Sequence, residues 1–151
     1  MIISRSANVT KKIGGLLAKE INASKLKINH SFVIGLRGNL GAGKTAFIQG
    51  FARAFGIKKI TSPTFLIIKN YQLKHSNYAN LFHIDTYRIN KFKELLALDF
   101  KNIIKNKQNL TIIEWADKIK KFLPASAIWI KFEHGKTLNQ RIIKISDKFI
   151  K

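Results

Sequence analysis

The sequence predicts an α/β fold, a mixed β-sheet flanked by helices with an antiparallel hairpin added to it. Apolar runs of strand length alternate with segments whose apolar residues recur at helical spacing. A polar turn at residues 74–77 separates two strand-like runs, which predicts the hairpin. The length of 151 residues fits one domain over 1–151 with a sizeable core.

The elements of this fold follow from the spacing of apolar residues and from the turn and cap residues between them. Ser6 or Asn8 is the expected cap of the first helix, whose apolar face should comprise Val9, Ile13, Leu16, Leu17 and Ile21. Gly14 and Gly15 weaken this helix by about 1 kcal/mol each relative to alanine. Further helices are expected at 46–55, 92–105 and 116–123, and strands at 32–36, 66–71, 78–85, 110–113, 128–132 and 141–145.

An octapeptide between the first predicted strand and the second predicted helix fits the pattern G-x-x-x-x-G-K-[ST]; it reads Gly38, Asn39, Leu40, Gly41, Ala42, Gly43, Lys44 and Thr45. Strand, glycine loop and helix form the context that the phosphate-binding P-loop requires. The glycines allow backbone N–H groups to surround a triphosphate, and the helix N-terminus adds partial positive charge. Lys44 would reach the β- and γ-phosphates, and the Thr45 hydroxyl would bind Mg²⁺.

Two other interpretations of this loop are a glycine-rich turn without a ligand and a dinucleotide-binding loop. Residues 41–46 also match the looser G-x-G-x-x-[GA] pattern. That pattern expects an acidic residue about 20 positions further on, to bind a ribose. No Asp or Glu lies between Glu20 and Asp85, which favours the P-loop over the dinucleotide site.

A P-loop needs a second Mg²⁺ ligand and a group that positions the attacking water or hydroxyl. Asp85 and Glu114 each follow an apolar strand-like run. In a parallel sheet these strand ends would lie at the same edge as the P-loop. Either acid could hold Mg²⁺ while the other orients or deprotonates a water, and the sequence pattern does not assign the two roles.

Two further stretches are candidates for the same site. Thr64 follows Pro63 in a loop rich in hydroxyl side chains, which is typical of a loop that senses the γ-phosphate or is simply a turn before a strand. Trp115 directly follows Glu114 and could line a nucleotide pocket or belong to the core.

Composition limits the class of protein. Cysteine is absent, which excludes disulfides and thiolate metal sites, and no apolar run is long enough to span a membrane, so we expect a cytoplasmic protein without membrane contact. The net charge of +20 is compatible with a polyanionic partner. Lysines are nevertheless spread over the whole chain, so the charge is also explained by lysine filling neutral surface positions.

The motifs together resemble the TsaE (YjeE) family of small bacterial ATPases. The matching segments, in the family's order and spacing, are GNLGAGKT at 38–45, SPTF at 62–65, HIDTYR at 83–88 and EW at 114–115. The resemblance covers nearly the whole chain. Ala116 replaces the proline that many members have at this position.

The resemblance implies an ATP-binding and ATP-hydrolysing subunit needed for threonylcarbamoyladenosine modification of tRNA, acting with the TsaD and TsaB proteins. It implies ATP and Mg²⁺ as cofactors, a slow activity that partners stimulate, and tRNA contact through the complex. It assigns Mg²⁺ to Thr45 and Glu114 and hydrolysis to Asp85. It places Thr64 in a switch-like loop and Trp115 in the nucleotide pocket.

Two other functions remain open from the residues alone: a small-molecule kinase that uses the same P-loop, and a basic tRNA-binding module without enzymatic activity. The five arginines form no cluster of the kind expected in a kinase lid, which favours the ATPase. A convincing guanine-reading N/T-K-x-D pattern is absent, which favours ATP over GTP only weakly.

Overall fold

The structure is a computed structural model that describes residues 1–24, 26–61 and 67–146. Its helices are α1 (Ala7–Ala23), α2 (Lys44–Ala54), α3 (Lys93–Leu96), α4 (Phe100–Lys105) and a 3-10 helix (Ala116–Phe122). Its strands are β1 (Ile2–Ser4), β2 (Phe32–Arg37), β3 (Ile68–Gln72), β4 (Asn80–Asp85), β5 (Asn109–Glu114), β6 (Ile128–His134) and β7 (Arg141–Ile145).

The strands form one mixed sheet in the order β1-β7-β6-β2-β5-β4-β3. Strands β4, β5, β2 and β6 are parallel, whereas β3 pairs with β4 and β7 pairs with β6 and β1 in antiparallel register. This arrangement confirms the predicted fold class and the predicted β3–β4 hairpin. Parallel strands place their carboxyl ends at one edge, where ligands of such sheets bind.

Two hydrophobic clusters cover the two faces of this sheet, because neighbouring residues of a strand point to opposite sides. Phe32, Ile34 and Leu36 of β2 belong to the cluster that includes α1 and α2. Val33 belongs to the second cluster, which includes residues of α3, α4 and the 3-10 helix. The central strand β5 is buried along its whole length, so the parallel centre of the sheet is covered on both sides.

Helices α1 and α2 are in backbone contact. A Cβ atom at Gly14 would lie 2.2 Å from the carbonyl oxygen of Phe47, and one at Gly50 would lie 1.9 Å from that of Lys11. Glycine is therefore required in both helices, and the packing that it permits offsets its low helix propensity.

With this close contact, the inward face of α1 differs from the predicted apolar face at two of its five positions. Leu17 and Ile21 are buried as predicted and Ile13 packs against the core, but Val9 is 37% and Leu16 is 63% exposed. The inward face instead consists largely of small residues that admit the backbone of α2; it comprises Thr10, Gly14, Leu17, Ala18 and Ile21. Ser6 is the N-cap, as one of the two alternatives predicted, and its Oγ accepts a hydrogen bond from the Val9 N–H at 3.2 Å.

Two more elements differ from the predictions. The helix expected at 92–105 is divided into α3 and α4, because Asp99 adopts a left-handed backbone with φ of 61°. Strand β1 was not predicted; it pairs at the edge of the sheet with β7, and three residues are too few to show a period. Among the described residues, no helix is long and apolar enough to cross a membrane.

Candidate functional site

The glycine loop connects the end of β2 to the start of α2, as the sequence motif predicts. Gly38, Gly41 and Gly43 have φ values of 143°, 72° and 103°, which side-chain-bearing residues rarely adopt. A Cβ atom at Gly38 would also lie 2.4 Å from the carbonyl oxygen of Phe132. The loop therefore has the left-handed turns that allow successive N–H groups to converge on an anion.

The Lys44 ammonium lies inside this loop. Its Nζ donates to the carbonyl oxygens of Gly38 at 2.6 Å and Asn39 at 2.9 Å, and it lies 4.3 Å from the centroid of the Trp115 ring. Burial lowers the pKa of Lys44, and the negative charges of Glu114 and Asp85 partly oppose that shift. Lys44 thus ties its amine to the first two residues of the loop, at the lining of a cavity.

The two candidate acids end neighbouring parallel strands. Asp85, the last residue of β4, pairs in register with Glu114, the last residue of β5, and Glu114 in turn pairs with Leu36 near the end of β2. This register confirms that both acids lie at the edge of the sheet from which the P-loop emerges. Asp85 and Glu114 also line the same cavity as Lys44.

Glu114 is held by a buried histidine. Its Oε1 lies 2.9 Å from the Nε2 of His83, and both side chains are nearly inaccessible to solvent. Because a carboxylate accepts hydrogen bonds, the Nε2–H of His83 donates to Glu114. The other ring nitrogen of His83, Nδ1, has no hydrogen-bond partner within the described ranges. The pair fixes Oε1 of Glu114 at the lining of the cavity.

Asp85 has a different environment. Its Oδ1 accepts a hydrogen bond from the Tyr87 N–H at 2.9 Å. Partial burial raises the pKa of Asp85, with a smaller contribution from the nearby charge of Glu114. A carboxylate with a raised pKa accepts a proton more readily than an exposed aspartate does.

Trp115 has a left-handed backbone with φ of 57°. The Thr86 hydroxyl lies 2.9 Å from the Glu114 carbonyl oxygen and 2.8 Å from that of Trp115, and it donates to this pair. These hydrogen bonds hold the turn after β5, in which the indole ring lies over Lys44 and 5.0 Å from the Tyr87 ring. Trp115 thus lines the cavity that Lys44 lines, which agrees with the first of the two alternatives given for it.

The loop, the acids and the tryptophan surround one cavity of about 350 Å³. The predicted site residues that line it are Leu40, Gly41, Gly43, Lys44, Thr45, Asp85, Glu114 and Trp115. Gly38, Asn39 and Ala42 belong to the loop but do not line the cavity: Gly38 and Asn39 bond to Lys44, and Ala42 is buried in the core. Thr64 lies outside the described residues.

Several residues that line the cavity were not among the predicted site residues. Arg141, at the start of β7, donates from Nε to the Gly41 carbonyl oxygen at 3.1 Å and from Nη1 to the carbonyl oxygens of Leu138 and Gln140. Tyr87 and residues at the start of α1 also line the cavity. Arg141 lies about 100 positions from the loop, so no local pattern could indicate it; the HIDTYR segment did include His83 and Tyr87, but without their roles.

The polar groups of the cavity fit a nucleotide triphosphate with Mg²⁺. The glycine loop and Lys44 suit phosphate oxygens, whereas Thr45, Asp85 and Glu114 supply the hard oxygen ligands that Mg²⁺ prefers. Within the described ranges, no three His, Cys, Asp or Glu side chains form a potential metal site by themselves.

Comparison with known proteins gives a consistent family. The family model described as threonylcarbamoyl adenosine biosynthesis protein TsaE matches residues 4–143. The tRNA threonylcarbamoyladenosine biosynthesis protein TsaE of Bacillus subtilis is 42% identical over 101 residues, or 65% of this chain and 59% of that protein's own length. The protein of the same name from Rickettsia felis is 33% identical over 135 residues, or 88% of this chain and 72% of that protein.

A solved structure supports the same relationship. The crystal structure of YdiB from Bacillus subtilis superposes with a TM-score of 0.69 and 28% sequence identity, covering 95% of this chain and 82% of that one. The chain therefore belongs to the TsaE family of threonylcarbamoyladenosine biosynthesis proteins.

Proposed function

We propose that this protein is the Mg²⁺-dependent ATPase subunit that acts with TsaD and TsaB in threonylcarbamoyladenosine modification of tRNA, in the cytoplasm. The observation that carries the proposal is the convergence of Lys44, Asp85 and Glu114 on one glycine-lined cavity. The Lys44 ammonium can bind phosphate, and the two carboxylates can hold Mg²⁺ and position a water. Cleavage of a γ-phosphate needs these functions.

In this proposal the backbone of residues 38–45 and Lys44 bind the phosphates of ATP. Thr45 and Glu114 would hold Mg²⁺, which when bound neutralises charge on the phosphate oxygens. His83 keeps Glu114 oriented through the 2.9 Å hydrogen bond. Trp115 supplies an apolar wall beside the phosphate-binding amine.

Asp85 is the proposed catalytic carboxylate. Its raised pKa suits a group that orients an attacking water and accepts its proton. Its Oδ1 is held by the Tyr87 N–H, so the carboxylate has a defined direction before a nucleotide binds. Glu114, by contrast, is already engaged by a histidine, which supports assigning the metal to Glu114 and the water to Asp85.

A slow basal rate follows from the hydrogen bonds of one arginine. Among the described residues, Arg141 is the arginine that lines the cavity, and its guanidinium is bonded to three backbone carbonyl oxygens. An arginine free to reach the transferring phosphate accelerates such reactions by roughly 10³–10⁵. We therefore expect TsaD and TsaB to supply the missing stabilisation and raise the rate.

The test is phosphate release from ATP by the purified chain, with and without TsaD and TsaB, as Mg²⁺ is varied. Lys44→Ala is expected to lower the rate by roughly 10²–10³, the usual loss for one such charge-stabilising group. Lys91→Ala, at an exposed lysine outside the cavity, is the matched control.

The outcomes separate the alternatives. Equal turnover with and without the partners would remove partner stimulation from the proposal. Wild-type activity of Lys44→Ala would reject the site. Transfer of labelled phosphate to a metabolite in cell extract, instead of release as free phosphate, would favour the kinase.

A further inference from the structure

A second cavity, of about 820 Å³, lies between α1 and α2 and the segment that follows α2. Its lining shares no residue with the cavity of about 350 Å³ around Lys44. We call it the basic groove, after its charged residues Lys11, Lys12, Lys19, Arg53, Lys58 and Lys59.

The floor of the basic groove is backbone. A Cβ atom at Gly15 would lie 3.3 Å from the carbonyl oxygen of Gly50, and Gly50 itself packs against the backbone of Lys11. Because Gly15 and Gly50 carry no side chain, a ligand can approach the helix backbones at this crossing between the side chains of Leu16 and Gln49. The basic side chains rise from both walls, and five of them are exposed while Lys11 is half-buried.

The charge of the groove is not neutralised by the protein. Six of its 13 lining residues are basic and none is acidic, whereas the whole chain has 28 basic residues in 151. Within the described ranges, none of the six takes part in an ion pair; Lys131 and Lys144, on the sheet, both pair with Glu133. An uncompensated concentration of charge of this kind attracts polyanions.

The kind of polyanion follows from the other lining residues. Long lysine side chains bind phosphates as flexible point charges without demanding one geometry. Asn8 and Gln49 add neutral hydrogen-bonding groups, and the described lining of the groove contains no aromatic side chain on which a base could stack. These features suit binding of a sugar–phosphate backbone, which carries no sequence preference.

We propose that the basic groove binds the phosphate backbone of RNA, and that tRNA, the substrate of the family's modification process, is the RNA concerned. The tRNA assignment rests on the family; it does not require the chain to hydrolyse ATP. The site differs from contact through partner proteins alone, because α1 and α2 of this chain would themselves touch the RNA.

The experiment measures binding of the full chain to an unmodified tRNA transcript by fluorescence anisotropy between about 50 and 300 mM KCl. The groove variant carries Lys12→Gln, Lys19→Gln and Lys58→Gln. The matched control carries Lys91→Gln, Lys101→Gln and Lys107→Gln, which are also exposed lysines but lie outside both cavities. Each triple variant removes three charges and lowers the net charge from +20 to +17.

In the groove variant, the plot of log K (K is the association constant) against log [salt] is expected to be less steep than in the wild type by about 3 units. This is close to one unit for each lysine–phosphate interaction removed. The control should change the slope by less than about 1. Equal losses of affinity in both variants would overturn the proposal, because diffuse charge would then explain binding. Undetectable binding of the wild-type chain at the lowest salt, or competition by polyglutamate as strong as by tRNA, would overturn it too; the latter would indicate an acidic protein surface instead.

The same samples keep the two proposals distinguishable. Basal ATP hydrolysis should be unchanged in the groove variant, and tRNA binding should be unchanged in Lys44→Ala. Loss of RNA binding with normal hydrolysis in the groove variant supports the inference. An inactive wild-type chain that still binds tRNA through the groove would reject only the ATPase.

Discussion

The ends of β4 and β5 carry carboxylates in register with each other, yet the two acids are held differently. Glu114 is buried and bonded to the equally buried His83. Asp85 is partly exposed, accepts a backbone N–H and has a raised pKa. Position in the sheet therefore brings the acids together, whereas their surroundings differ: a buried histidine holds Glu114, and partial burial raises the pKa of Asp85.

The largest expected effect comes from removing the carboxylate of Asp85, the proposed proton acceptor. Asp85→Asn keeps the oxygen that accepts the Tyr87 N–H but abolishes proton acceptance, so kcat should fall by roughly 10²–10⁴. Binding of Mg²⁺ and ATP, measured by calorimetry, should remain. Loss of nucleotide binding together with kcat would mean that Asp85, and not Glu114, is the ligand-holding acid.

Removing the carboxylate of Glu114, the proposed metal ligand, should affect Mg²⁺ dependence. Glu114→Gln is expected to raise the Mg²⁺ concentration for half-maximal ATP hydrolysis by more than the roughly 10–100-fold typical of changes around a ligand. ATP binding without Mg²⁺ should be little changed. An unaltered Mg²⁺ dependence would contradict the assignment of the metal to Glu114.

Substitution of His83 tests whether the proposed Mg²⁺ binding by Glu114 depends on the His83–Glu114 hydrogen bond. His83→Leu should raise the same Mg²⁺ requirement by roughly 10–100-fold, because the carboxylate loses its orienting donor. His83→Gln, which retains an N–H near the position of Nε2, should recover part of the loss. A merely structural role would lower thermal stability in both variants without separating them in Mg²⁺ dependence.

The smallest expected effect concerns stability and pH in the nucleotide-free protein. Because burial raises the pKa of Asp85, the folded state binds its proton more tightly than the unfolded chain does. Ionised Asp85 therefore destabilises the fold above the raised pKa, and the penalty disappears as pH falls through it towards the ordinary aspartate value. Asp85→Asn should raise Tm at neutral pH by no more than about 4 °C, with the gain vanishing in acid.

Glu133 provides a control of opposite sign. Lys131 and Lys144 lower the pKa of Glu133 to about 2, so its ion pairs stabilise the fold above the ordinary glutamate pKa and are lost as pH falls towards 2. Glu133→Gln should therefore lower Tm slightly at neutral pH. A change of Tm in the same direction for Asp85→Asn and Glu133→Gln at neutral pH would contradict the opposite pKa shifts of these two acids.

The parts of the site that depend on residues adjacent in the chain could be predicted from the sequence. The glycine loop is continuous, and the acids at 85 and 114 each end an apolar run, so their common edge follows from parallel pairing alone. The hydrogen bond between Arg141 and Gly41 joins distant parts of the chain. Likewise, the partnership of His83 with Glu114 depends on register, which no local pattern encodes.

The fold shows the same division. Val9 and Leu16 are exposed, against the prediction, because the packing of α1 depends on its contact with Gly50 of another helix. The break between α3 and α4 depends on the left-handed backbone of Asp99, which an uninterrupted helical spacing of apolar residues conceals. Local periodicity indicates that an element exists, whereas its orientation and ends depend on what approaches it.

The position of the Trp115 indole over the Lys44 ammonium has a practical consequence. Indole emission responds to nearby charge, so ligand binding at that amine should alter the intrinsic fluorescence of the unlabelled protein. The chain contains two tryptophans, and Trp129 lies within β6, away from the cavity lining. A Trp129→Phe variant would leave Trp115 as a single built-in optical reporter.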